Sequence, residues 1–84
     1  MKDQEIKTTI FQLLLKIAPE VDPEQLEMDD NIRDTLGIDS FDFLQFIIGL
    51  DDELGIKTPE ADYGKITTLK TLITYVKSAK QQSK

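Results

Sequence analysis

The 84-residue chain contains no cysteine, no histidine and no tryptophan. Without cysteine there are no disulfides and no thiolate metal site, and the redox compartment is left open. Without histidine the commonest catalytic acid–base and the commonest zinc ligand are both missing. No apolar run approaches the about 18 residues that a membrane span needs. The start, Met1-Lys2-Asp3-Gln4-Glu5, lacks the basic-then-apolar layout of a secretory signal, so the expectation is a cytoplasmic protein without membrane insertion. Aromatic residues make up only 7 %, but a hydrophobic content of 39 % suffices for one small packed core. Residues 1–84 therefore read as a single domain, without repeats or an internal boundary, and as a monomer.

Charge is unevenly placed. The net charge is −6, yet residues 20–62 hold fourteen Asp and Glu against Arg33 and Lys57 alone. Residues 63–84 hold five lysines and no acid. Such an acidic middle repels nucleic acid and attracts basic protein surfaces, or is simply a solvated face. The polar, basic end over 78–84 reads as a flexible tail.

Apolar spacing organises the chain into helices. Ile6, Ile10, Leu13, Leu14 and Ile17 recur at helical intervals, with Asp3 as the expected N-cap and Ala18-Pro19 as the stop. A long connection over 18–38 includes Asp22-Pro23-Glu24, suited to a single helical turn, and Val21, Leu26 and Ile32 as apolar anchors. A second helix is expected over about 40–54, ended by Gly55. Pro59 can start a short third helix near 59–63, and Thr67 or Thr68 can cap a fourth with Leu69, Leu72, Ile73 and Val76 inside. The expected fold is all-α, a four-helix bundle of three main helices and one short one, with a long first loop.

The second helix is apolar on two sides. Phe46, Ile47, Leu50 and Leu54 fall on one side, as a core stripe would. Phe41, Leu44 and Ile48 fall on another, followed by Asp51 and Asp52. In so small a domain the second stripe either packs under the first loop or meets a partner. Gly49, in mid-helix, either permits a close helix contact or leaves the helix looser.

At the start of this helix stands Leu36-Gly37-Ile38-Asp39-Ser40-Phe41. Asp39 reads as an N-cap and Ser40 as a first-turn residue, with Asp42 near the positive end of the helix dipole. No His or Cys exists to activate the hydroxyl, so Ser40 is poorly equipped as a nucleophile of its own enzyme. A phosphodiester on Ser40 would lie beside unpaired N–H groups that tolerate an anion. On these residues alone an ordinary capped helix and a modification site both remain open.

The turn Gly37-x-Asp39-Ser40-Phe41 resembles that of the acyl carrier protein family, whose Gly-x-Asp-Ser-[Leu/Phe] carries 4'-phosphopantetheine on the serine. Further on, Asp51-Asp52-Glu53-Leu54-Gly55-Ile56 is similar to the family's acidic helix end. Pro59-Glu60-Ala61-Asp62 followed by Lys65-Ile66-Thr67-Thr68-Leu69 is similar to its entry into the last helix. The resemblance implies a carrier without catalysis of its own. A phosphopantetheinyl transferase, the user of any magnesium, would load Ser40 from coenzyme A. Acyl groups would then ride as thioesters between acyl-transferring, ketosynthase-type or other pathway enzymes in fatty-acid, polyketide or related lipid biosynthesis. It implies partner recognition by Leu44, Ile48, Asp51 and Asp52. It also implies an acyl pocket or core of Phe43, Phe46, Ile47, Leu50, Leu54, Tyr63 and Ile66.

Departures from the commonest fatty-acid pattern point to a specialised member. Gln45 stands where an acid is usual, Phe43 where a smaller residue is common, and Thr35 where Asp is frequent. Thr58 replaces an apolar residue, and Tyr63-Gly64 a small or charged pair. Two other classes compete. One is an acidic helical adaptor for a basic partner, which would not need Ser40. The other is a calcium module on the acids at 27–34 and 51–53, whose spacing does not match a calcium loop. Glycosidase-type chemistry on carboxylates would need a cleft that so small a bundle does not offer.

Overall fold

The computed structural model describes the backbone of residues 2–82 and the side chains of residues 2–80. Helix α1 spans Asp3–Ile17 and buries Ile6, Ile10, Leu13 and Leu14. Asp3 is not its cap. The cap position is Lys2, whose amide donates to Glu5 Oε1 at 3.1 Å. The Asp3 carboxylate instead pairs with Lys77 Nζ at 2.9 Å, tying the start of α1 to the last helix.

The first loop is held at defined points. Asp22 Oδ1 accepts from the Glu24 N–H at 3.1 Å and starts the 3₁₀ turn Pro23–Gln25. Pro23 and Leu26 are buried, Ile32 is fully buried, and Val21 is half-buried. Two backbone bonds stitch the loop to the last helix and the residues just before it: Ile32 N–H to the Thr67 carbonyl at 2.9 Å, and Lys70 N–H to the Met28 carbonyl at 2.8 Å. Within the segment expected to be loop lies helix α2, Ile32–Leu36. Asn31 Oδ1 caps it by accepting from the Asp34 N–H, and Gly37 ends it at φ +67°, where a Cβ would be strained. Five residues are too few to display an apolar period, so only its two ends were readable.

Helix α3, Ser40–Leu54, buries Phe43, Phe46, Ile47, Leu50 and Leu54. Gly55 ends it, again at φ +67°. Gly49 faces α1: a Cβ there would come within 3.3 Å of Leu13 Cδ2, so the glycine serves close helix contact. The expected short helix is a 3₁₀ helix, Glu60–Lys65, entered from Pro59. Helix α4, Leu69–Gln82, opens on a reciprocal cap: Thr68 Oγ1 accepts from the Thr71 N–H, and Thr71 Oγ1 from the Thr68 N–H, each at 3.1 Å. Leu69, Leu72, Ile73 and Val76 are buried as the spacing predicts. Where a tail over 78–84 is expected to be flexible, α4 continues to Gln82, and Lys80 Nζ donates to the Leu54 carbonyl at 2.9 Å. A cation there meets the negative end of α3. Residues 83 and 84 lie outside the described residues. The architecture is an all-α bundle in which α1 packs on α3 and α4.

One polar contact joins the 3₁₀ helix to α4: Tyr75 Oη donates to Asp62 Oδ2 at 2.8 Å. Partial burial, and then this hydrogen bond, push the Tyr75 phenol from its ordinary 10.0 up to about 12. The same bond, followed by Lys65 at 3.2 Å, holds Asp62 below its ordinary 3.8. A raised phenol stabilises the fold fully below pH 10.0 and loses that contribution as the pH climbs towards about 12. A depressed carboxylate stabilises above 3.8 and loses its contribution as the pH falls below that value. Melting temperatures of wild type and Tyr75→Phe should therefore differ at neutral pH and converge through the alkaline window. A constant difference up to the top of that window would refute the assignment.

Candidate functional site

The turn that leads into α3 is built from three residues with separate tasks. Gly37 supplies the left-handed backbone. Ile38 is buried and its N–H donates to the Arg33 carbonyl at 3.0 Å, which anchors the turn in the core. Asp39 Oδ1 accepts from the Asp42 N–H at 2.8 Å and caps the helix. Ser40 follows, exposed on the first turn. Among the described residues its own N–H and that of Phe41 find no acceptor, so two donors of the helix N-terminus are left beside the exposed Ser40. An anionic phosphodiester fits there: the donors and the positive end of α3 both favour negative charge.

A groove of about 450 Å³ opens next to Ser40 between α3 and the 3₁₀ helix. Phe43 and Leu44 form one wall, and Tyr63 and Gly64 the other. Asn31, Arg33 and Thr67 close the end nearer the first loop. The Arg33 side chain leans along the turn, Nε to the Ile38 carbonyl at 3.4 Å. Larger hollows of about 700 Å³ beside Gly55 and Tyr75, and about 610 Å³ between α1 and Pro23, do not have Ser40 in their walls.

Of the seven residues expected to form an acyl pocket or core, Phe43 and Tyr63 line this groove. Phe46, Ile47, Leu50, Leu54 and Ile66 are core instead, out of reach of its walls. Besides Ser40, the groove's polar lining residues Asn31, Arg33, Asp34, Glu60 and Thr67 were not among the expected site residues. They come from separate segments, and only the Asn31 cap carried a local signal.

The outer side of α3 resolves the two-sided helix. Phe41 is 67 %, Leu44 37 % and Ile48 49 % exposed, so this strip does not pack under the first loop. Asp52 is exposed one turn beyond Ile48. Asp51 is different. Its Oδ2 accepts from the Thr58 N–H at 3.0 Å and its Oδ1 from the Thr58 hydroxyl at 2.7 Å. It is thus turned towards the loop after α3 and is withdrawn from the expected partner face. The unusual Thr58, buried just before Pro59, was the available signal, because a buried hydroxyl and N–H require an acceptor.

With this geometry in hand, a family model described as the phosphopantetheine attachment site matches residues 8–76. The chain belongs to that family. It is a carrier domain for covalently bound 4'-phosphopantetheine, a role that implies contact with pathway enzymes and acyl chains. Among the described residues no helix is long and apolar enough to cross a membrane.

The split between the two neighbouring acids is measurable. Asp51→Ala leaves a buried N–H and hydroxyl without their acceptor and should cost about 1–3 kcal/mol in denaturant melts. Asp52→Ala, on the exposed side, should stay within about 0.5 kcal/mol of wild type. Equal losses at both positions would contradict the assignment of Asp51 to Thr58.

Proposed function

We propose that Ser40 is the residue that bears phosphopantetheine, and that the protein carries acyl intermediates as thioesters for fatty-acid, polyketide or related lipid biosynthesis. One observation carries the reading: within the family-matched span, Ser40 is exposed beside two N–H donors that find no acceptor among the described residues. When bound, the group supplies a thiol at the end of a long arm, and the acyl chain is held there as a thioester. The protein's own residues do the rest. Asp39 caps the first turn, on which Ser40 is exposed, and the N–H donors of Ser40 and Phe41 favour the phosphodiester charge. The protein performs no catalysis, and a phosphopantetheinyl transferase loads it from coenzyme A. The bulk of Phe43 and Tyr63 at the groove supports a specialised pathway rather than general fatty-acid synthesis.

Partner enzymes are read as docking on Phe41, Leu44 and Ile48, with Asp52 supplying charge for a basic surface. Acids raise the encounter rate, and apolar contacts lengthen the stay. An acidic adaptor would use the same strip but would not need the serine, so modification discriminates between the two.

Incubated with coenzyme A, magnesium and a broad-specificity transferase, wild type should gain one phosphopantetheine mass and Ser40→Ala none. The variant should stay folded, because the cap belongs to Asp39. A wild type left unmodified where a known carrier is loaded would end this reading.

Leu44→Ala and Ile48→Ala should slow acyl transfer at any salt while costing less than about 1 kcal/mol, since both side chains are already exposed. Asp52→Lys should slow transfer most at low salt. Wild-type transfer in all three would move the partner face elsewhere.

A further inference from the structure

The 3₁₀ helix Glu60–Lys65 is the wall of the groove least held by packing. None of its six residues is buried. Tyr63 reaches the edge of the core half-buried, and there it forms part of the groove beside Ser40. The backbone bonds at its ends are local, Asp62 N–H to the Pro59 carbonyl and Ile66 N–H to the Tyr63 carbonyl. The side-chain bond that ties it to another element runs from Tyr75 Oη on α4 to Asp62 Oδ2, at 2.8 Å. Lys65 Nζ braces the same carboxylate at 3.2 Å from within the helix. Asp62 and Tyr63 are consecutive, so at three residues per turn their side chains diverge by about 120°. One is fastened to α4 while the other stands in the groove.

The core side chains Phe46, Ile47, Leu50, Ile66 and Leu72 are each at most 1 % exposed and form none of the groove's lining, while Phe43, in its wall, is 8 % exposed. Displacing Tyr63 would lengthen the groove, and Tyr63 is carried by its 3₁₀ helix.

We propose that the Tyr75–Asp62 hydrogen bond is a latch that holds Tyr63 in the groove wall and so limits the length of acyl chain the protein shelters beside Ser40. The proposal rests on the carrier reading. Tyr75 touches no cargo: it is a positioning residue that acts through Asp62 and Tyr63. Loss of one partly exposed hydrogen bond to a charged acceptor should raise the open population about tenfold.

The test compares wild type, Tyr75→Phe, Asp62→Ala and Asp62→Asn, each loaded from acetyl-, hexanoyl- and decanoyl-coenzyme A and checked by mass. Cleavage of the thioester by hydroxylamine then reports how well the chain is covered. Tyr75→Phe and Asp62→Ala should slow decanoyl cleavage several-fold relative to wild type and leave acetyl cleavage unchanged. Asp62→Asn, which keeps an oxygen acceptor for the phenol, should behave as wild type. In the unloaded proteins, amide hydrogen exchange over residues 60–66 should rise about tenfold in the first two variants, with protection in α1 and α3 unchanged. Should Tyr75→Phe lose its fold, the two Asp62 variants carry the same comparison. One length profile shared by all four proteins, or unchanged exchange over 60–66, overturns the latch. Failure of wild type to accept any acyl-phosphopantetheine would instead show in the mass and count against the carrier reading, and the exchange measurement would still judge the latch.

Discussion

Phe46, Ile47, Leu50 and Leu54 have to leave water together, and they can do so only if α3 lies against its neighbours at one rotation about its axis. Each such side chain contributes about 1.5–3 kcal/mol when fully buried, so turning the helix by a third would forfeit most of the core. That rotation simultaneously decides everything on the outside. Phe41, Leu44 and Ile48 must face solvent, Asp52 must follow them, and Asp51 must fall at the border where Thr58 can reach it. Gly49 completes the constraint by letting Leu13 approach without a side chain in between.

The position of Ser40 depends on the same packing. Ile38, two residues earlier, is buried, and Ile32 is fixed by a bond to the Thr67 carbonyl just before α4. The segment between them is therefore held at both ends, and Asp39 and Ser40 follow it, exposed. A helix N-terminus with free donors is common. Here it opens beside a groove whose far wall is a 3₁₀ helix without a single buried residue. A helix with five buried residues thus faces one with none across the groove beside Ser40.

Charge is distributed in keeping with this division. Lysines of α4 face the ends of the other helices: Lys77 meets Asp3 at the start of α1, and Lys80 meets the last carbonyl of α3. Acids of the middle segment cap turns, as Asp22, Asp30 and Asp39 do, tie segments together, as Asp51 and Asp62 do, or remain in solvent like Asp52. Among the described residues no three of them converge as metal ligands would.

Much of this was legible in the chain itself, because helix starts and stops depend on neighbours within four residues. Asp22, Asp39 and Thr68 cap where the sequence places them, Gly55 ends α3, and the inner stripes of α1, α3 and α4 follow from spacing alone. The Gly37-to-Phe41 turn and its resemblance were equally local. Other features were decided only when distant segments met. Asp3 left its expected cap for Lys77, Asp51 turned to Thr58, and residues 78–82 of the expected tail are helix, with Lys80 reaching the Leu54 carbonyl 26 residues back in the chain. The groove drew Arg33 and Thr67 to the side of Tyr63 and left the aliphatic core out of its walls. A cap or an apolar period is set by the chain's own geometry. The partner of a charged side chain or the lining of a groove is set by which surfaces the packed helices bring together, and no short-range pattern encodes that.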